Sequence, residues 1–160
     1  KLVIKTFDNE HNNIDELVEK YRLNNPLFPQ VDIIKEDLSE EEMKSLYLSA
    51  NALVAPSRGE GFGLPIGEAM CLGIPVITTG YGGQCDFCNN QNSWLIDFHF
   101  KLATSHFNLD LSFWAEPSCT HLGNLMKHLL SLSSQTFLYL ISLHCASTSI
   151  HFLLFEIKPK

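Results

Sequence analysis

Short apolar runs alternate along the chain with segments of helical period. The runs are rich in Val, Ile, Leu and Ala, and Gly, Pro, Asn or Ser residues flank most of them. This pattern is typical of strands that are buried in a sheet. Five such runs lie at residues 2–7, 31–37, 51–57, 74–79 and 92–97. The pattern therefore predicts five strands before residue 98.

Helices are predicted between these strands. Apolar residues recur at helical spacing after the first strand, at Ile14, Leu17, Val18 and Tyr21. This spacing is typical of an amphipathic helix. The segments at residues 38–50 and 64–73 are predicted as the second and third helices, and Gly73 supplies a stop signal for the third.

Two of these helices begin with a capping signal. Ser39 and Glu42 have the spacing of a capping box, in which each side chain bonds the backbone N–H group of the other residue. Asn13, with Glu16 three residues later, predicts a similar cap for the first helix.

The alternation of strands and helices predicts the fold class. Strands joined through helices make right-handed crossovers, so they lie parallel in one sheet that helices cover on both faces. We predict a Rossmann-like, doubly wound α/β fold for residues 1–128. Residues 129–160 are predicted to form an atypical apolar tail.

The composition is that of a folded domain with an acidic balance. The 160 residues are 45% hydrophobic and include 18 acidic and 11 basic residues, for a net charge of -7. This charge argues against non-specific attraction to nucleic acid or anionic lipid. The five cysteines lack the spacing of a secreted disulfide scaffold, which predicts a reducing, cytoplasmic setting.

The C-terminal segment differs from the rest of the chain. Between Lys127 and Glu156 there is no Asp, Glu, Lys or Arg. A membrane span needs about 20 apolar residues, so the segment is long enough, but its many Ser and His residues weaken that interpretation. Three alternatives stay open for residues 129–160: a membrane segment, a buried or interfacial helix, or sequence that is not native to the fold.

The stretch SRGEGFGLPIGEAM, residues 57–70, connects the third strand to the third helix. In a doubly wound sheet, ligands bind at this edge, where strands end and helices begin. Gly59, Gly61 and Gly63 remove side chains, so a diphosphate or a sugar can approach the main-chain N–H groups. The dipole of the helix that starts near Pro65 favours an anion.

Two carboxylates flank this glycine loop. Glu60 lies within the loop and Glu68 lies one turn into the helix, with seven residues between them. An ionised carboxylate can accept two hydrogen bonds from a diol. A ligand with a diol at each end of a diphosphate fits this arrangement, and a nucleotide-sugar is such a ligand.

The segment PSRGEGFGLPIGEAMCLGIPVITTGYGGQCDF, residues 56–87, resembles the E-x7-E signature region of retaining glycosyltransferases of the GT-B fold, family 4 (group 1) in particular. Weaker similarity extends from Leu2 to about Met126 and includes SFWAEP at residues 112–117. The resemblance implies the C-terminal, donor-binding half of a GT-B fold. It also implies transfer of a sugar from a nucleotide diphosphate-sugar to an acceptor with retention at the anomeric carbon.

The resemblance assigns roles to matching positions. Glu60 is implied to be the catalytic residue that contacts the donor-sugar hydroxyls, and Glu68 to contact the ribose. The loop at residues 34–37 is implied to hold the base. The backbone expected to face the sugar and the phosphates belongs to Gly61, Phe62, Gly63 and Leu64. Further candidate positions in the donor site are Arg58, Gly82, Gly83 and Asp86.

Some of these positions have an equally simple structural interpretation. Arg58 has either a phosphate-binding role or that of a solvated loop arginine, and Asp86 either an acidic site role or that of a cap. Cys85 and Cys88 form a C-x-x-C motif, but zinc needs a second pair or histidines at ligand spacing, and His99 stands alone. We predict no metal and no cofactor.

The resemblance also sets the expected limits of the chain. The Arg and Lys that neutralise the diphosphate in this family precede the position of Lys1, and the acceptor-binding N-terminal domain is missing too. We expect this chain to start inside a larger protein and to be inactive in transfer by itself. Two alternatives remain: a non-catalytic nucleotide-sugar-binding or assembly module, or another GT-B enzyme such as a phosphorylase or an epimerase.

The expected partners follow from the same reasoning. They are a nucleotide-sugar donor and a sugar, lipid or protein acceptor that is bound through the missing domain, and no nucleic acid. We expect a cytoplasmic location, and peripheral association with the cytoplasmic face of a membrane stays open.

Overall fold

Strands and helices alternate along the chain, as the hydrophobic pattern predicts. The computed structural model describes residues 1–8, 13–104, 111–132, 138–142 and 152–156. Its strands are β1 (Leu2–Lys5), β2 (Val31–Ile34), β3 (Ala52–Ala55), β4 (Val76–Thr79), β5 (Trp94–Ile96), β6 (Phe98–Leu102), β7 (Phe113–Pro117), β8 (Leu138–Ser142) and β9 (Phe152–Glu156). Its helices are α1 (Ile14–Asn24), α2 (Glu40–Ser49), α3 (Leu64–Cys71) and α4 (Cys119–Ser131), with one 3₁₀ turn at Gly83–Asp86.

The large sheet has the strand order β2-β1-β9-β8-β3-β4-β5. Strands β1 and β2 are parallel, and so are β3, β4 and β5. The predicted parallel sheet is therefore confirmed for the five predicted strands. Strand β8 pairs with β3 in parallel, whereas β9 runs antiparallel to both β8 and β1. Strands β6 and β7 form a separate antiparallel pair.

Alternation along β3 explains how helices cover both faces of the sheet. Leu53 and Ala55 belong to one buried cluster, which contains residues of α2 and α3. Ala52 and Val54 belong to the other, which contains Ile14 of α1 and Leu129 of α4. Successive side chains of a strand point to opposite faces, so a strand covered on both faces must be apolar throughout. This arrangement confirms the predicted doubly wound α/β fold class.

The tail contributes strands to the sheet. The described residues 138–142 and 152–156 form β8 and β9, which lie between β1 and β3. A helical interpretation is therefore wrong for these two segments. Helix α4 continues across residues 128 and 129 and ends at Ser131. In the part of the chain that the structure describes, no helix has the length and apolar character needed to span a membrane.

One of the two predicted caps is present. Ser39 Oγ accepts the N–H of Glu42 at 3.3 Å, and Glu42 Oε2 accepts the N–H of Ser39 at 2.8 Å, so the capping box is confirmed. The side-chain cap predicted at Asn13 is wrong. Its backbone has φ -110° and ψ 32°, whereas a capping side chain normally needs extended backbone at that position.

Candidate functional site

The glycine loop connects the carboxyl end of β3 to the start of α3. Gly63 is the N-cap of α3 and has the left-handed conformation, with φ 85° and ψ 50°. A Cβ at this position would lie 3.1 Å from both Gln84 Cβ and Ile66 Cδ1. Glycine is therefore required by backbone conformation and by space. Pro65 lies in the first turn, where its missing N–H group costs no helix hydrogen bond.

The loop leaves a row of backbone donors unpaired. Among residues that the structure describes, the amides of Gly61, Phe62, Gly63 and Leu64 have no hydrogen-bond partner. A Cβ on Gly59 or Gly61 would meet no atom within 4 Å, so the space beside the loop is open. Consecutive unpaired N–H groups at a helix N-terminus attract an anion. The loop therefore has the form of an anion-binding site.

Glu60 is fixed through its side chain and its backbone. Ser57 is fully buried, and its hydroxyl donates to Glu60 Oε1 at 2.9 Å. The backbone carbonyl of Glu60 accepts the N–H of Gly83 at 2.9 Å. An ionised carboxylate has about four lone-pair sites, so one bond from Ser57 leaves capacity for ligand hydroxyl groups.

Gly82 and Gly83 contact the backbone of the glycine loop. A Cβ on Gly83 would lie 1.9 Å from the carbonyl oxygen of Gly61, so no other residue fits there. A Cβ on Gly82 would lie 3.2 Å from the backbone nitrogen of Glu60. These two glycines therefore allow two loops to pack together. Their contact with a ligand stays a prediction, as does that of Asp86, an exposed residue at the end of the 3₁₀ turn.

Gln84 supports the same crossing of loops, and the sequence did not single it out. Its side chain is fully buried. Nε2 donates to the carbonyl of Tyr81 at 2.9 Å and to that of Thr79 at 3.0 Å. Oε1 is buried and has no hydrogen-bond partner among the described residues. The bonds from Nε2 fix the conformation of the loop after β4, and the N–H of Gly83 in that loop is bonded to the carbonyl of Glu60.

Glu68 lies beside a cleft between α2 and α3. The cleft has a volume of about 510 Å³, which is within the usual range for small-molecule sites. Its lining includes Leu38, Met43, Lys44, Tyr47, Glu68 and Leu72. Leu38 directly follows the loop at residues 34–37 that is expected to hold a base. The cleft is therefore lined by Leu38 and Glu68 but by none of residues 34–37, and a contact of that loop with a base stays a prediction.

Tyr47 is a contact of Glu68 that the sequence did not reveal. Its hydroxyl donates to Glu68 Oε2 at 3.0 Å, although 21 residues separate the two positions. Burial, followed by the negative charge of Glu68, raises the pKa of Tyr47. Tyr47 therefore keeps its proton at neutral pH and can act as a hydrogen-bond donor to Glu68.

Arg58 points to the β6–β7 pair. Its Nε donates to Glu116 Oε2 at 2.9 Å and its Nη2 to Oε1 at 2.8 Å. The guanidinium carbon lies 4.5 Å from the ring centroid of Trp114. The carbonyl of Arg58 accepts the N–H of Ala115 at 3.0 Å. The Arg58 side chain is thus engaged within the protein, and its contact with a phosphate stays a prediction.

The two cysteines of the C-x-x-C motif differ in exposure. Cys85 is exposed, whereas Cys88 is buried with its Sγ 3.5 Å from Met70 Sδ. Burial raises the pKa of both thiols, which disfavours the reactive thiolate form. No group of three or more His, Cys, Asp or Glu side chains in the described ranges is placed to hold a metal ion.

Comparison with known proteins connects this geometry to sugar transfer. Residues 1–104 match the model of the family "Glycosyl transferases group 1". A sucrose synthase of Melioribacter roseus is 36% identical over 83 residues, which are 51% of this chain and 10% of that protein. A serotype-specific mannosyltransferase of Escherichia coli is 42% identical over 69 residues, which are 41% of this chain and 8% of that protein.

A third relative is a D-inositol 3-phosphate glycosyltransferase of Corynebacterium urealyticum. It is 38% identical over 58 residues, which are 36% of this chain and 14% of that protein. The chain thus spans about a tenth of the length of these curated relatives. The residues of this chain that match the family model include both glutamates, the glycine loop and the lining of the cleft.

Proposed function

Since the chain belongs to the group 1 glycosyltransferases, we propose that it is the donor-binding part of a retaining GT-B glycosyltransferase of family 4. In this proposal a sugar passes from a nucleotide diphosphate-sugar to an acceptor. One observation carries the proposal: a row of unpaired amides at the start of α3 lies between Glu60 in the loop and Glu68 in the helix. Relatives named as a mannosyltransferase and as a glycosyltransferase support transfer of a sugar.

The proposed donor lies along the glycine loop and the start of α3. Its diphosphate accepts hydrogen bonds from the amides of residues 61–64, where the helix dipole also favours negative charge. Its sugar hydroxyls donate to Glu60, whose side chain Ser57 holds at 2.9 Å. Its ribose diol donates to Glu68. The base enters the cleft between α2 and α3, which is lined by Leu38 directly after residues 34–37.

The loop amides also suit the chemistry that the proposal requires. Transfer breaks the bond between the anomeric carbon and the diphosphate and leaves the electron pair on the diphosphate oxygen. A new bond forms from the anomeric carbon to an acceptor oxygen, whose proton is released. Fixed N–H donors aimed at such an oxygen are typically worth about 2.7 to 4 kcal/mol each in related sites. No metal is required in this proposal, because the amides and basic residues share the task of neutralising the leaving group.

The proposal includes inactivity of this chain in transfer by itself. Arg58 is the basic residue of residues 57–70, and its Nε and Nη2 groups donate to Glu116. Further cations are therefore needed at the diphosphate, and we propose that they come from a preceding part of the enzyme together with the acceptor site. Detectable sugar transfer by the 160-residue chain alone would contradict this part of the proposal.

Calorimetry with UDP, GDP and ADP, free and linked to a sugar, tests donor binding. We expect one of these nucleotides to bind, and Glu68→Ala to weaken its binding by about tenfold or more because the ribose loses a charged acceptor. Glu16→Ala is the matched control, since Glu16 is an exposed helical glutamate on α1. Its binding should equal that of the unsubstituted chain.

The role of Glu60 is tested with the same assay. Glu60→Gln should weaken binding of the sugar-linked nucleotide while leaving the free nucleoside diphosphate unaffected, because Glu60 is placed at the sugar alone. Equal weakening of both ligands would contradict that placement. Absence of nucleotide binding by a folded, unsubstituted chain would contradict the enzyme proposal and favour a non-catalytic assembly module.

A further inference from the structure

We propose that Tyr47 is a positioning residue for the ribose diol of the donor and that it acts by orienting the carboxylate of Glu68. This inference rests on the proposed function, because it assumes that Glu68 accepts hydrogen bonds from a ribose. Its basis is the bond of 3.0 Å between the Tyr47 hydroxyl and Glu68 Oε2.

The position of the Tyr47 hydroxyl is set by the core. The residue is 2% exposed and belongs to the buried cluster that also contains Leu53, Ile66 and Ala69. Close packing fixes the ring of such a residue in one rotamer. The hydroxyl is therefore a donor at a fixed point, even though Tyr47 lines the cleft between α2 and α3.

Glu68 lacks comparable support from packing. It is an exposed residue on α3, and an exposed glutamate samples many side-chain conformations, whose loss opposes ligand binding. A bond from a fixed hydroxyl to Oε2 reduces this freedom before the ligand arrives. Since a carboxylate has about four lone-pair sites, the bond from Tyr47 leaves enough capacity for both hydroxyl groups of a diol. The expected result is preorganisation of the carboxylate.

Tyr47→Phe isolates this effect, since it removes one oxygen atom and keeps the buried ring. The test uses the full 160-residue chain and whichever of UDP, GDP and ADP binds it most tightly, together with the 2′,3′-dideoxy form of that nucleotide. We expect Tyr47→Phe to weaken binding of the ribonucleotide by about 3- to 10-fold, the range for loss of one hydrogen bond. Binding of the dideoxy nucleotide should remain unchanged, because it presents no diol to Glu68.

A double-mutant cycle separates positioning from a general effect on the fold. In the Glu68→Ala background, Tyr47→Phe should have no further effect on ribonucleotide binding, because the carboxylate that Tyr47 orients is already absent. Tyr21→Phe is the matched control, since Tyr21 is 61% exposed on α1. It should bind both nucleotides like the unsubstituted chain.

The outcomes distinguish this inference from the function on which it rests. If Tyr47→Phe weakens binding of the ribonucleotide and of its dideoxy form equally, the Tyr47 hydroxyl has a structural role and the inference is overturned. Diol-dependent binding that Tyr47→Phe leaves unchanged also overturns it, while the proposed function stands. No nucleotide binding by the unsubstituted chain overturns both.

Discussion

The guanidinium of Arg58 and the carboxylate of Glu116 form a bidentate ion pair across 58 residues of sequence. Arg58 belongs to the glycine loop and Glu116 belongs to β7, outside the large sheet. Trp114 covers the guanidinium, and the carbonyl of Arg58 is bonded to Ala115. The pair therefore ties the loop between β3 and α3 to the β6–β7 pair.

Arg58→Ala should lower the free energy of unfolding by about 1 to 2 kcal/mol, because both partners are only partly exposed and Glu116 is left without its guanidinium. Urea denaturation followed by tryptophan fluorescence measures the change. Arg58→Lys should recover only part of the loss, since lysine cannot form the two-bond contact or stack in the same way on Trp114. Strict additivity of Arg58→Ala and Glu116→Ala in a double-mutant cycle would show that the pair has no energetic coupling.

The same pair predicts a dependence of stability on acid. Hydrogen bonds from Arg58 hold the pKa of Glu116 below its ordinary value of 4.5. A carboxyl group with a lowered pKa stabilises the folded state above its unfolded pKa, and the contribution is lost as the pH falls through its folded pKa. We therefore expect the urea concentration at the unfolding midpoint to decrease once the pH drops below about 4.5. Unfolding curves measured between pH 6 and about 3 test this. In Glu116→Gln, the urea midpoint should decrease less with decreasing pH than in a Glu16→Gln control. An equal decrease in the two variants would contradict the prediction.

Gly63→Ala should lower the free energy of unfolding by about 1 to 2 kcal/mol or more, since φ is 85° and the added Cβ contacts Gln84 and Ile66. Gly59→Ala is the matched control in the same loop, because its Cβ would meet no atom within 4 Å. We expect a change within about 0.5 kcal/mol for the control. Urea denaturation of the two variants makes the comparison, and similar losses at both positions would contradict the geometry of the loop.

Ser39→Ala removes the side-chain half of the capping box of α2 and should lower the free energy of unfolding by about 1 kcal/mol. Ser45→Ala, within the same helix, is the control. Ser45 Oγ bonds the carbonyl of Glu41 in the preceding turn, and alanine has the higher helix propensity. The control should therefore be neutral or slightly stabilising. A larger loss for Ser45→Ala than for Ser39→Ala would be inconsistent with the capping box.

Local patterns identified the strands of the parallel sheet but overestimated their lengths. Each of the five predicted strands is two or three residues shorter in the structure. Pro56 and Ser57 show the reason: both are buried beyond the end of β3, without being part of that strand. An apolar or small side chain therefore predicts that a residue is buried more reliably than it predicts that the residue pairs with a neighbouring strand.

Other elements had usable signals that were missed. Phe98, Phe100 and Leu102 alternate with His99 and Lys101, a period of two that is typical of a strand. Helix α4 begins after Ser118, whose hydroxyl accepts the N–H of His121 at 3.2 Å. This bond is the serine half of the capping box recognised at Ser39.

The candidate site was predictable where its residues are neighbours in sequence. The relation of Glu60 and Glu68 to the glycine loop follows from one short stretch that joins a strand to a helix. The contacts of Tyr47 with Glu68 and of Arg58 with Glu116 depend on how distant elements pack. No periodicity or motif in the sequence around these four residues predicts the two contacts.

The contact between Gly83 and the glycine loop has a consequence for engineering. The N–H of Gly83 is bonded to the carbonyl of Glu60, and its α-carbon has no room for a side chain beside Gly61. The lengths of the segments at residues 59–63 and 80–83 are therefore linked, and an insertion into one displaces the other. A variant that takes one of these segments from a related enzyme to alter selectivity should therefore take the other segment from the same enzyme.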